Sequence, residues 1–311
     1  MQPVELSVTM KRILFLAFSL LIFIPSIAQT RVTVPYAQRD TCTLYMDIYS
    51  PATVDAAKPA VLFMFGGGFM EGDKRKGIGN WVKQLTDNGY PVVSIDYRLG
   101  LKGARLGGFK FVKLLDNAID MAVWDLFSAT VFLLEHGTEY GINARNLVIS
   151  GSSAGAITVL QGEYEICNGG EMAQILPEDF NYAGVMSFAG AIFDNHNPLR
   201  FAKDPCPLLL LHGTADRLVP YKKIAIFNLC FGGTDAIVKA LEKAGQKYTV
   251  YRYVDRGHEV SIYQEYCFDK EIEFMENKVM RTSDISADIL INDPYSPSPA
   301  WGRTKPSALY K

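Results

Sequence analysis

Asn146-Leu147-Val148-Ile149-Ser150-Gly151-Ser152-Ser153-Ala154-Gly155 is a short apolar run that breaks into a turn of small residues. An uninterrupted apolar run of this length, closed by glycine, is the mark of a strand buried on both faces. The residues that follow, 154–167, contain no proline and read as a helix. The G-x-S-x-G pattern at 151–155 therefore sits at a strand-to-helix turn, the context in which its central serine is pushed into the open above a sheet. The two glycines leave space for the chain to double back on itself. The helix start adds partial positive charge and unpaired N–H donors beside Ser153. Ser152 occupies the variable position. A plain Ser/Gly turn is the competing reading of the pattern alone, and the strand–turn–helix context argues against it.

Outward from this turn the same signature repeats. Apolar runs stand at 60–65, 91–95, 183–188, 207–211 and 248–254, and helical stretches at 79–88, 115–136 and 236–244 lie between them. Alternating strands and helices imply a mainly parallel sheet, of about eight strands, with helices on both faces. Residues 31–35 and 41–48 alternate apolar with polar instead and predict an antiparallel hairpin at the N-terminal edge. In such sheets ligands bind beyond the carboxyl ends of the strands. The 311-residue chain is 49% hydrophobic and 21% charged, enough for one large core spanning 29–281. Residues 282–311 carry Pro294, Pro297, Pro299 and Pro306 with few aliphatic side chains, and are expected to form a surface tail.

The first residues belong to a different pattern. Lys11 and Arg12 precede a run at 13–24 that is apolar but for Ser19, followed by Pro25 and Ser26-Ile27-Ala28, with small residues at its first and last positions. This is the order of a cleavable signal peptide, read here as 1–28 with Met10 as the natural start, and it implies an exported protein, periplasmic or secreted. The run is short of the ~20 residues a membrane span needs, so no stable insertion is expected after cleavage. With a net charge of −2 and dispersed lysines and arginines, nothing supplies a nucleic-acid-binding face. Five cysteines, Cys42, Cys167, Cys206, Cys230 and Cys267, allow two disulfides, but none shows metal-binding spacing and buried thiols are the simpler expectation.

A serine hydroxyl needs a base before it can attack. Of four histidines, His136 closes a helix, His212 ends an apolar run and reads as packed core, and His196 lies in a polar loop. His258, in Asp255-Arg256-Gly257-His258 just after the last apolar run, is the one placed to swing over the sheet edge. Asp216 in His212-Gly213-Thr214-Ala215-Asp216 gives the chain order serine, acid, histidine. Asp194 also follows an apolar run and competes for the acid role, although its neighbours suit a loop cap. Phe65-Gly66-Gly67-Gly68-Phe69 ends the first core strand and offers backbone N–H groups free of side chains, as oxyanion stabilisation requires. Its glycine spacing does not complete a nucleotide-binding pattern.

From about Leu44 to Tyr263 the chain resembles the carboxylesterase/lipase branch of the α/β-hydrolases. That group carries an H-G-G-G loop and includes hormone-sensitive-lipase-like and feruloyl or acetylxylan esterases. The likeness runs through Gly66-Gly67-Gly68, Asp96-Tyr97-Arg98-Leu99, the 151–155 turn, His212-Gly213-Thr214-Ala215-Asp216 and Gly257-His258. It implies an α/β-hydrolase fold, a Ser153/Asp216/His258 triad, oxyanion donors at Gly67, Gly68 and Ala154, and no cofactor or metal. Two positions depart from the pattern: Phe65 replaces the histidine of the glycine loop, and Ala156 replaces a glycine after the turn. The implied activity is carboxylic-ester hydrolysis through an acyl-enzyme, on a short-chain or carbohydrate-linked ester of a small molecule or polysaccharide. An exported peptidase of the same fold and a non-catalytic binding protein are the rivals. The aromatic-bearing stretch 188–201 is the expected wall of the alcohol side.

Overall fold

The computed structural model describes residues 30–104, 109–195, 198–226 and 229–305. The expected leader at 1–28 and His196 lie outside them. In chain order the elements are β1 (Thr30–Gln38), β2 (Thr43–Ser50), β3 (Ala60–Met64), α1 (Gly79–Asp87), β4 (Val92–Ile95), α2 (Phe109–His136), β5 (Leu147–Ser152) and α3 (Ala154–Asn168). They continue with β6 (Gly184–Phe188), β7 (Ala191–Asp194), β8 (Leu208–Gly213), β9 (Lys223–Ile226), β10 (Leu229–Gly233), α4 (Thr234–Ala244), β11 (Thr249–Tyr253), α5 (Phe268–Phe274) and β12 (Ala287–Ile291).

Nine strands form the main sheet in the order β1-β2-β4-β3-β5-β6-β8-β11-β12. The β1–β2 hairpin is antiparallel and joins β4 antiparallel, while the pairs from β4 through β12 are all parallel. The apolar runs explain this directly. Every residue of β3, β4, β5, β6 and β8 is buried, as a central parallel strand covered on both faces must be. β1 is mostly exposed, as an edge strand is. Helix α1 turns Trp81, Val82 and Leu85 inward, with Thr86 buried beside them and its hydroxyl bonded to the Val82 carbonyl. Between α2 and α3 the contact is close: a Cβ added at Gly162 would lie 3.0 Å from Leu126. Each fully buried side chain such as Leu62 or Phe63 contributes about 1.5–3 kcal/mol of transfer free energy. One carboxylate within this frame, that of Asp125 on α2, is fully buried and paired with both Arg39 and Arg98. It ties the β1–β2 turn to the segment after β4.

Three expectations change. A second, three-stranded antiparallel sheet, β7-β10-β9, stands apart from the main one, and its central strand β10 runs directly into α4. The aromatic side chains at 188–201 face inward: Phe188 and Phe193 are buried, and Phe201 packs edge-on against Tyr164 with ring centroids 5.2 Å apart. They belong to the core rather than to a pocket wall. Within the described residues after 282, Ala287–Ile291 is no loose tail but adds to the main sheet as its last strand. The signal was weak for a physical reason: as an edge strand it needs only alternate residues half-buried, and five residues ahead of a proline-rich stretch give little periodicity. All five cysteines are free thiols, four of them buried.

Candidate active site

The turn at 151–155 joins β5 to α3 with Ser153 at φ 51° and ψ −114°, a conformation that a non-glycine residue adopts only under constraint. The constraint is visible in its neighbours. A Cβ added at Gly151 would fall 2.3 Å from the Gly155 carbonyl, and one added at Gly155 would fall 2.1 Å from the Met64 carbonyl oxygen. The turn closes only because both positions are glycine. The Ser153 N–H donates to Phe188 O at 2.9 Å, which fixes the turn to the end of β6. Ser152 points away, its hydroxyl donating to Ser261 O at 2.7 Å.

Ser153 Oγ faces His258 Nε2 at 2.7 Å, and His258 Nδ1 faces Asp216 Oδ2 at 2.7 Å. A carboxylate only accepts, so Nδ1 carries the proton and Nε2 is left to accept from the serine hydroxyl. Asp216 sits in the turn after β8, its other oxygen accepting the N–H groups of Leu218 and Val219 at 2.8 and 3.1 Å. His258 opens a 3₁₀ turn, His258–Ile262, after β11 and is 4% exposed. Burial alone pushes the Asp216 carboxyl up, but hydrogen bonds from His212 and His258 outweigh it and hold the group well below the usual carboxylate range. Asp194 is engaged elsewhere, accepting the Tyr164 hydroxyl at 2.5 Å. His136 is an exposed helix-end residue facing Glu139 at 2.9 Å.

The glycine loop lies beside the serine: a Cβ added at Gly66 would come within 3.1 Å of Ser153 Cβ and of Ser152 Oγ. Gly67 has φ +127°, and a Cβ there would strike Glu71 O at 1.8 Å, so this position too demands glycine. Ala154 is the first residue of α3, where backbone N–H groups have no partner inside the helix. The loop therefore sets Gly66 against the serine turn, with Gly67 and Gly68 next in the chain.

Two supporting residues lie within the quoted motifs, although their roles are not written there. Tyr97, buried after β4, donates its hydroxyl to Phe65 O at 2.8 Å, and its ring lies 4.5 Å from that of Phe65. Phe69 completes the cluster edge-on to Tyr97. Where the resembling family uses a histidine to hold the loop, this chain uses an aromatic stack and one backbone hydrogen bond. The other is His212, fully buried, whose Nε2 lies 3.2 Å from Asp216 Oδ2 and 3.3 Å from Val219 O. Both partners only accept, so Nε2 is the protonated nitrogen and Nδ1 accepts from the Thr234 hydroxyl at 2.9 Å. The His212–Asp216 spacing of four residues across a Gly-Thr-Ala turn was the available signal.

Comparison with known proteins bears on the fold and the class of protein. Residues 46–166 match the BD-FAE family model. The chain is 29% identical over 163 residues to Lipase 1 of Geotrichum candidum, covering 51% of this chain and 27% of that protein. It is 31% identical over 110 residues to Esterase LipI of Mycobacterium tuberculosis, covering 35% and 30%. The matches thus span less than a third of those relatives' own length. Among solved structures, the esterase Est2 of the planctomycete Thermogutta terrifontis superposes with TM-score 0.58 at 19% identity, over 82% of this chain and 95% of that one. Its apo form gives TM-score 0.59 at 18% identity, over 86% and 100%. Residues 46–166 are thus similar to this esterase family model and to parts of known lipases and esterases, and the likeness to Est2 supports the α/β-hydrolase fold.

Proposed function

We propose that this protein is a serine carboxylic-ester hydrolase that works through an acyl-enzyme on Ser153, with His258 as base and acid and Asp216 as its orienting carboxylate. The observation that carries the reading is the continuous hydrogen-bonded line from Ser153 Oγ through His258 to Asp216, set on a turn whose serine is held at positive φ. Ser153 Oγ attacks the ester carbonyl carbon while its proton passes to His258 Nε2. The N–H groups of Gly67, Gly68 and Ala154 take the negative charge that develops on the carbonyl oxygen. As the tetrahedral intermediate collapses, the C–O bond to the alcohol breaks and His258 returns the proton to the leaving oxygen. Water, deprotonated by the same nitrogen, then attacks the acyl-serine, and the acid is released with Ser153 restored. Ionised Asp216 stabilises the imidazolium that forms in both halves.

The substrate class under this reading is a short-chain or carbohydrate-linked ester met outside the cytoplasm. The order of charged, apolar and small residues at 11–28 supports export, and N-terminal sequencing of the mature protein is expected to begin at Gln29. A panel of p-nitrophenyl, feruloyl and acetyl-xylan esters tests the substrate class. Turnover of short acyl p-nitrophenyl esters together with a carbohydrate-linked ester is expected. Cleavage confined to long-chain triglycerides would contradict it.

A further inference from the structure

The loop that carries His258 is only four residues long, Val254 to Gly257, and has little regular structure of its own. Asp255 within it is held at φ 56°. On one side it is fastened to the turn that carries Asp216. The N–H groups of Thr214 and Ala215 donate to Tyr253 O and Arg256 O, both at 2.9 Å. This approach is so close that a Cβ on Gly213 would lie 2.3 Å from Arg256 O and from Gly257 O.

On the other side the loop is fastened to the C-terminal segment. β12 runs parallel to β11, Val254 N–H donates to Ile291 O at 2.9 Å, and Arg252 grips Asp288 with bonds of 2.7 and 2.8 Å. Past β12 the chain crosses the loop. Arg256 donates to Ser296 Oγ at 2.6 Å and to Asp293 O at 2.9 Å, and the Tyr263 hydroxyl donates to Pro297 O. The 3₁₀ turn Ala300–Arg303 then packs against Gly257, where an added Cβ would lie 2.1 Å from Gly302 O. Glu259, 1% exposed, accepts the Gly257 N–H at 2.8 Å through Oε2, and a Cβ on Gly302 would lie 1.9 Å from that same oxygen.

We infer that the C-terminal segment, residues 287–303, is a positioning element for His258, acting through Arg256 and Glu259, which flank the histidine on either side. The inference rests on the ester-hydrolase reading of the site. Proton transfer needs Nε2 at hydrogen-bond distance from Ser153 Oγ, and the loop's own bonds do not supply that order. A displacement of about 1 Å is enough to cost on the order of 10²-fold in rate.

Two variants test this: a chain ending at Asn292, which keeps β12 and loses everything that crosses the loop, and Gly302→Ala, which forces Glu259 to move within an intact chain. Both are expected to lose on the order of 10²-fold in kcat on a small p-nitrophenyl ester, with KM little changed. The far-downfield proton resonance of His258 Nδ1 is expected to broaden in both. A tail that only stabilised the fold would lower the melting temperature and leave kcat intact well below it. Should the shortened chain fail to fold, Gly302→Ala decides. Wild-type kcat together with a retained downfield resonance in that variant overturns the inference while leaving the ester-hydrolase reading in place. Wild-type protein that neither turns over esters nor takes up a fluorophosphonate overturns that reading and this role with it.

Discussion

His212 Nε2 lies 3.2 Å from Asp216 Oδ2, the same carboxylate oxygen that faces His258 Nδ1 at 2.7 Å. Two histidines thus donate to one oxygen, and the other oxygen takes two backbone N–H groups. A buried carboxylate with four donors has no open position left, so its rotamer and its charge are both fixed.

Replacing His212 with Phe keeps much of the volume and removes the donor, leaving the Thr234 hydroxyl without its acceptor and the Asp216 carboxylate and Val219 carbonyl without this donor. The expected loss is about 1–3 kcal/mol at neutral pH, measured by denaturant unfolding. The pH dependence has a definite sign. Asp216 has its carboxyl depressed in the folded state, so its contribution is present above the unfolded carboxylate range and fades as pH falls through the folded value. The gap between wild type and variant should therefore narrow as the pH is taken well below 4. A gap that widens on acidification would contradict this account of Asp216.

The acid can be assigned by a pair of variants. Asp216→Asn removes the acceptor for His258 Nδ1–H and is expected to lower kcat by about 10⁴. Asp194→Asn weakens the bond from Tyr164, away from the reacting atoms, and should leave kcat within a few-fold while costing about 1 kcal/mol of stability. A collapse of kcat in the Asp194 variant with the Asp216 variant still active would reverse the assignment.

Much of this site was legible because a strand buried on both faces writes itself as an unbroken apolar run. β3, β5, β8 and β11 could be placed from such runs, and Ser153, Asp216 and His258 then fell at their carboxyl ends. β12 was hidden because an edge strand needs only alternate burial, and Asp288, its second residue, serves Arg252 rather than a core. The Tyr97 hydroxyl bonds a backbone carbonyl, and such an acceptor leaves no trace in residue identity. His212 reads as a packed core histidine, which it is. That its partner is the acid depends on how the 213–215 turn folds back, which pattern alone does not encode.

Away from the site, Glu271 on α5 is fully buried, accepts the Trp81 indole N–H at 2.8 Å through one oxygen, and has no partner among the described residues on the other. Burial pushes its carboxyl well above the ordinary value, with the Trp81 bond opposing only in part. The folded state therefore holds a proton the unfolded chain releases. Stability from this group is complete below the unfolded carboxylate range and is lost as pH rises toward the folded value. Glu271→Gln, which keeps an acceptor for Trp81, should flatten the fall in melting temperature between pH 5 and pH 9. An unchanged slope would mean the carboxyl is ionised in the folded protein.

The central claim is that Ser153 is acylated. Intact-mass measurement after treatment with a fluorophosphonate, or with paraoxon, which phosphorylates the Thermogutta terrifontis esterase, tests it directly when wild type and Ser153→Ala are compared. Wild type is expected to gain a single adduct on the peptide containing Ser153 and to lose its esterase activity with it. The Ser153→Ala variant should stay unlabelled at that peptide and fall by on the order of 10⁶ in kcat. An adduct on another residue, or wild-type turnover by the alanine variant, would contradict the mechanism.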